Sequence, residues 1–142
     1  MIRNTLAVLA GLIVALAIIT FSVMINSYWI PYDYKGIPLE YWKSIVRTAK
    51  GEFFIALLVS SGVGSLFGGI VCALIVKTAK KAYAMLIGFI LLLTAIAAVF
   101  IFKGHPTWYI VSMFFIFFPF SWLGAQIVEW LQEKVIKSKK KS

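Results

Sequence analysis

The sequence predicts an all-α polytopic membrane protein: four transmembrane helices in one bundle, with an amphipathic helix on the outer face between the first two. Three observations carry that expectation. The 142 residues are 62% hydrophobic and only 13% charged, against about 45–50% apolar and about 25% charged in a soluble domain. A folded chain of this size leaves roughly a third of its area exposed, too much to hide such a surface from water. Four long apolar stretches interrupt the charges, each near the ~20 residues that cross a ~30 Å hydrocarbon core as a helix. Lipid offers no partner to a backbone amide, so each span must close its own hydrogen bonds. No stretch alternates polar and apolar residues as a barrel strand does. The whole chain, residues 1–142, reads as a single transmembrane domain.

The first span covers about residues 6–25, with no charge between Arg3 and Asp33. Its twelve Leu, Ile, Val and Phe residues favour insertion by up to ~5 kcal/mol. A cleaved signal peptide is the competing reading, with Arg3 as the positive end and Ala15-Leu16-Ala17 as the small-residue site. The apolar run continues to Ile25, past the usual ~7–15 residues of such a segment. The second span, 53–76, lies between Glu52 and Lys77, and the third, 82–102, between Lys81 and Lys103. The fourth runs from about 109 to 128 and ends at Glu129, beyond which Trp130, Glu133, Lys134 and Lys137 extend the helical pattern past the bilayer.

Four spans place both termini on one side. That side carries Arg3, Lys77, Lys80, Lys81, Lys134, Lys137, Lys139, Lys140 and Lys141, nine basic groups, against five on the other: Lys35, Lys43, Arg47, Lys50 and Lys103. Positive charge stays cytoplasmic, so both termini are expected inside. Eight of the eleven Trp and Tyr residues (Tyr28, Trp29, Tyr32, Tyr34, Tyr41, Trp42, Trp108, Tyr109) fall at the outer boundary, where such rings meet headgroups.

The outer loop, 26–52, opens with an irregular turn at Pro31 to Pro38. After Pro38, apolar residues recur at Leu39, Trp42, Ile45, Val46 and Ala49, with Glu40, Lys43, Arg47 and Lys50 between them. That helical period predicts a short helix lying on the outer leaflet or capping the bundle. A helix that merely leads into the second span fits the periodicity equally well.

Within the membrane, small residues step by four along the second span: Ser60, Gly64, Gly68, Cys72 and, beside them, Ser61, Ser65, Gly69, Ala73. Lipid supplies no hydrophobic drive between helices, so close backbone approach along such rows is what holds them. Ala7, Gly11 and Ala15 form a matching row on the first span, and the two helices are expected to touch. The serines read as bonded to their own i−4 carbonyls or across the contact. Pro119 removes one donor mid-span and frees the Phe115 carbonyl, which predicts a kink. The run Phe114 to Phe120 reads as lipid-facing and packing bulk.

Chemistry is sparse. No Asp, Glu, Lys, Arg or His lies in the hydrocarbon part of any span, and intramembrane charge is the usual mark of proton and ion pathways. That argues against four-span proton-coupled exporters and glutathione-transferase-like membrane enzymes. One cysteine, Cys72, excludes an intrachain disulfide, a CxxC motif and a quinone-linked disulfide former. It lies deep in an apolar span and is expected to be inert. The single histidine, His105, excludes a bis-histidine haem. No metal or cofactor is expected. The lysine-rich tail, 134–142, offers Lys134, Lys137, Lys139, Lys140 and Lys141 to an anionic leaflet at ~1 kcal/mol each, and nucleic acid is not an expected partner.

Three segments together resemble an uncharacterised group of small four-span bacterial membrane proteins. They are Met1-Ile2-Arg3-Asn4-Thr5-Leu6-Ala7-Val8-Leu9-Ala10-Gly11, then Gly64-Ser65-Leu66-Phe67-Gly68-Gly69 with Ala73-Leu74-Ile75, and last Pro106-Thr107-Trp108 with Pro119 and Trp122-Leu123-Gly124. The resemblance implies a four-helix protein of the bacterial inner membrane and brings no activity. Where that group has a histidine and an acid, this chain has Ser61 and Ser112.

Three functional classes follow. The leading one is a non-enzymatic membrane protein that associates through its helices with itself or a membrane partner, the lipid bilayer being its medium. The second is a channel or carrier for a small neutral or weakly polar solute, lined by Ser60, Ser61, Ser65, Thr94, Ser112 and Ser121. The third is an outer-face enzyme in which His105 works with Asp33, Glu40 or Glu52.

Overall fold

A computed structural model of the chain describes residues 1–24, 46–47 and 50–141. Among these the structure is helical and without strands. We number the long helices α1 (Ile2–Met24), α2 (Gly51–Ile75), α3 (Lys80–Ile101) and α4 (Thr107–Lys141). All four are long and apolar enough to cross a membrane, and the chain is a multi-pass membrane protein.

Two helices outrun the spans read from hydropathy. α1 begins at Ile2, four residues before the apolar run, and α4 continues past Val128 to Lys141. The apolar run marks where hydrocarbon ends, whereas the helix ends where its hydrogen bonds do. Residues 129–141 are mostly Glu, Gln, Lys, Leu, Val and Ile without Gly or Pro, and the straight-chain polar types among them are good helix formers. Most of the expected outer-face helix, and the aromatic belt from Tyr28 to Trp42, lie outside the described residues. Val46 and Arg47 are helical.

Helix α2 is the centre. It packs most extensively against α1 on one side and α4 on the other, α3 closes against α4 and α2, and α1 does not meet α4. Of the apolar stretch of α2, 44% is buried, against 22% for α1 and 28% for each of α3 and α4. The outer surface carries the large apolar side chains, Ile13, Phe100 and Phe115 among them, each at least two-thirds exposed. Lipid is a suitable neighbour for them.

Short turns connect the antiparallel neighbours. After α2, the Val76 amide caps the helix by donating to the Cys72 carbonyl at 3.0 Å. Ala79 then takes left-handed backbone, φ 54°, before α3 begins. After α3, the Phe102 amide donates to Ala98 at 2.8 Å, and Gly104 adopts φ 129°, a conformation that a Cβ disfavours. The Pro106 carbonyl accepts from the Tyr109 amide at 3.0 Å, opening α4.

One end of the bundle gathers the start of α1, the turn 76–79 and the far part of α4. Asn4 Nδ2 donates to Tyr83 Oη at 2.9 Å, and Lys81 pairs with Glu129 at 3.0 Å. Lys80 donates to Gln132, and the Lys134 ammonium lies 3.7 Å from the Trp130 ring centroid. Interior side chains are small here (Ala73, Ala84, Ala125, Val128). At the opposite end they are large, with Phe53, Phe54, Tyr109 and Met113 among them.

Candidate functional site

The small-residue rows of α2 settle against two different helices. Gly64 and Gly68 face α1. A Cβ on Gly64 would stand 2.8 Å from the Ala15 carbonyl oxygen, and one on Gly68 would stand 2.7 Å from that of Gly11. A Cβ on Gly11 would in turn meet the Gly68 carbonyl oxygen at 2.6 Å and Cys72 Cβ at 3.2 Å. Ala7, Ala15 and Cys72 are wholly buried. Here backbone lies on backbone, and no side-chain hydrogen bond crosses between the described residues of α1 and α2.

Gly69 and Ser65 face α4. A Cβ on Gly69 would meet the Ser121 carbonyl oxygen at 2.5 Å, and Gly124 of α4 is pressed as closely against the backbone of Leu66 and Ile70. From α3, Gly88 approaches the same stretch of α4: its Cβ would stand 2.6 Å from the Phe117 carbonyl oxygen. Ser65 and Ser121 are fully buried in this contact. Their hydroxyl oxygens are 2.6 Å apart, and Ser65 donates to the Phe117 carbonyl at 3.0 Å. A hydroxyl has a single hydrogen. With Ser65 donating to Phe117, the Ser121 hydrogen faces two acceptors on α2, Ser65 Oγ at 2.6 Å and the Ser65 carbonyl oxygen at 3.4 Å, and either one ties α4 to α2 at the same residue.

The other hydroxyls turn back on their own helices. Ser60 donates to Ala56 at 2.8 Å, Ser61 to Leu57 at 2.7 Å, Thr94 to Ile90 at 2.8 Å and Ser112 to Trp108 at 2.8 Å. The six hydroxyls weighed as a solute lining are thus spread over three helices, and the two that meet are sealed in a helix contact. Pro119 sits within a helix that runs unbroken from Thr107 to Lys141. Its missing N–H leaves the Phe115 carbonyl without the usual donor. Phe114, Phe115 and Phe120 are exposed toward lipid, whereas Phe117 is buried.

At the end opposite the chain termini, the tips of α2, α3 and α4 together with Val46 border an open pocket of about 220 Å³. Phe53, Leu57, Ala98, Phe102, Tyr109 and Met113 line it, with His105 as its titratable imidazole. His105 stacks on Tyr109, with ring centroids 5.4 Å apart, and meets Phe54 at 5.5 Å. Its Nδ1 lies 2.8 Å from the Phe102 carbonyl oxygen. Burial pushes its pKa below the usual imidazole range, against the opposing pull of that hydrogen bond. Of the acids considered as its partners, Asp33 and Glu40 lie outside the described residues, and Glu52 is exposed at the start of α2. No group of three His, Cys, Asp or Glu side chains comes together among the described residues. Gln126 keeps its side-chain carbonyl oxygen buried without a partner.

The residues that sequence reasoning passed over are Gly88, Gly124 and Ser121 as packing positions. A signal existed: Ala84–Gly88 and Ser121–Ala125 are themselves small residues four apart.

Fold and site together define an integral membrane bundle held by glycine and serine contacts. No protein-family model matches the chain, and neither a curated protein nor a solved structure matches it.

Proposed function

We propose that this is a protein of the bacterial inner membrane, both termini cytoplasmic, that acts without catalysis by associating through a helix with itself or a membrane partner. Charge asymmetry supports the orientation: nine basic groups on the side of the termini against five on the other. The sequence resemblance to small four-span bacterial proteins supports the compartment.

One observation carries the association. The small-residue rows of α2 are already filled by α1 and α4, so a partner must use another surface. Beyond Val128, α4 presents Leu131, Val135 and Ile136, which are 49%, 55% and 64% exposed. With Leu74 and Val128 they line a groove of about 300 Å³. Apolar side chains at i, i+4 and i+5, past the end of the apolar span, are what an opposing amphipathic helix covers. We assign Lys134, Lys137, Lys139, Lys140 and Lys141 to contact with anionic headgroups, which would hold this segment close to the leaflet.

Cross-linking tests the reading, using Val135→Cys in a Cys72→Ala background. A homo-oligomer gives a doubled band both in membranes and after purification, whereas a foreign partner gives an adduct in membranes alone. Absence of both bands, with a monomeric mass in detergent, overturns the association. A reporter fused after Ser142 that works only outside the cell overturns the orientation.

A further inference from the structure

Helices α1 and α3 touch least of the helix pairs that meet, and between them lies an open groove of about 410 Å³. Its walls give its place in the membrane. Asn4, Thr5 and Tyr83 stand at one end, where both helices begin and where Lys80 and Lys81 precede the apolar run of α3. Val8, Leu9, Leu12, Leu86 and Ile90 follow, each deeper along its helix. From Asn4 to Leu12 is about 12 Å at 1.5 Å per residue, close to the ~15 Å of hydrocarbon in one leaflet. The groove is therefore polar at the membrane boundary and apolar from there toward the midplane. Spread over that depth, its volume gives a section of about 35 Å². A helix about 10–12 Å across needs about 80 Å² or more, so the groove takes a hydrocarbon chain and not a partner helix.

The polar end offers donors. Asn4 Nδ2 donates to Tyr83 Oη at 2.9 Å, a bond that uses the phenol oxygen and leaves its single hydrogen to be given elsewhere. The Asn4 amide carries a second N–H as well. Both side chains are half-buried, and their mutual bond holds them across the mouth of the groove. A helical side chain leans toward the start of its helix, which carries the phenol to the edge of the hydrocarbon. The ester carbonyls of a glycerophospholipid lie at that depth, and a carbonyl oxygen accepts what the phenol gives.

We propose that this groove holds one glycerophospholipid from the leaflet on the side of the chain termini, with an acyl chain between α1 and α3 and an ester carbonyl accepting from Tyr83 Oη. This site is separate from the α4 segment argued above and stands or falls independently of it.

Photo-labelling of the full chain in mixed detergent–lipid micelles tests this, with a phosphatidylethanolamine that carries a diazirine halfway along one acyl chain. Lipid that only surrounds the protein labels side chains in order of exposure. A bound lipid should label Leu9, Leu12, Leu86 and Ile90 above Ile13 and Phe89. The latter two stand at the same depth outside the groove and are 67% and 45% exposed, against 50% for Leu9 and 42% for Leu86. Labelling should saturate at one probe per chain. Tyr83→Phe, which keeps the ring, should raise the half-saturating concentration about fivefold, the loss of one hydrogen bond. A free fatty acid with the same diazirine should label these positions at least about fivefold more weakly, since its charged carboxylate keeps its hydration above the depth of Tyr83. The labelling pattern is read on wild-type protein and needs no variant to fold. Labelling ranked by exposure, uptake that does not saturate, equal labelling by the fatty acid or an unaltered Tyr83→Phe variant would each overturn the proposal.

Discussion

The two faces of α2 are alike in sequence and unlike in chemistry. Both are rows of small residues at four-residue spacing, and both let a neighbouring backbone approach until a Cβ no longer fits. Toward α1 the contact is dry, with Gly64, Gly68 and the buried Cys72 against Gly11 and Ala15. Toward α4 the same close approach is joined by the hydrogen-bonded pair Ser65 and Ser121. One pattern thus supports two ways of holding helices in lipid: dispersion alone, and dispersion plus a directed polar link. The difference fixes register. A glycine groove tolerates sliding, whereas a hydroxyl that must find one carbonyl does not.

Enlarging the glycines should give the greatest effect. Gly69→Ala sets a methyl 2.5 Å from the Ser121 carbonyl oxygen, which only a shift of α4 relieves, and should cost about 2–3 kcal/mol in unfolding measured by detergent titration. Gly68→Ala, 2.7 Å from the Gly11 oxygen, should cost somewhat less, since α1 has no second contact with α4 to disrupt. Equal tolerance of both changes would break the picture of α2 clasped on two sides.

The polar link comes next. Ser65→Ala removes both a donor and an acceptor from a sealed contact and should cost about 1 kcal/mol. A double-mutant cycle with Ser121→Ala should return a coupling of about 0.6 kcal/mol, the typical strength of such bonds between membrane helices. A coupling of zero would make the α4 face as dry as the other.

Cys72 is a built-in reporter of the α1 face. It is wholly buried, so a membrane-permeant maleimide should leave native protein unlabelled. Gly11→Val, whose added carbons would overlap the Gly68 carbonyl and crowd Cys72, should make the thiol reactive, while Gly69→Ala should not. Labelling of both variants would show that the two faces do not open separately.

The smallest change is expected at Ser60, whose hydroxyl bonds back to Ala56 within its own helix. Ser60→Ala should move stability by less than about 0.5 kcal/mol, against the larger loss at Ser65 further along the same helix.

Much of this was legible in the residues, for identifiable reasons. Hydrocarbon imposes its thickness on the sequence, so four uninterrupted apolar runs announce four helices whatever else the chain does. The small-residue rows of α2 were equally plain, because a period of four needs no knowledge of the partner. Helix ends were less plain: the helical pattern could be followed past the bilayer as far as Lys137, whereas the helix runs on to Lys141 because nothing in between stops it. Ser65 and Ser121 stand 56 residues apart, and neither local sequence contains the other. The His105 cavity could not be read at all. It is bordered by three helix tips and by Val46, segments far apart in the chain, and its volume depends on how they pack.

The span of 56 residues between Ser65 and Ser121 has a consequence for synthesis. Chains emerge from the amino end at about 5–20 residues per second, so α2 waits about 3–11 s for the segment that completes its second face. During that interval α1 already covers Gly64 and Gly68, while the Ser65 hydroxyl has no neighbour but its own helix, whose i−4 carbonyl is within reach. A hydroxyl suits a helix that must wait in oil, since it can be satisfied alone and then change partners when the fourth helix arrives.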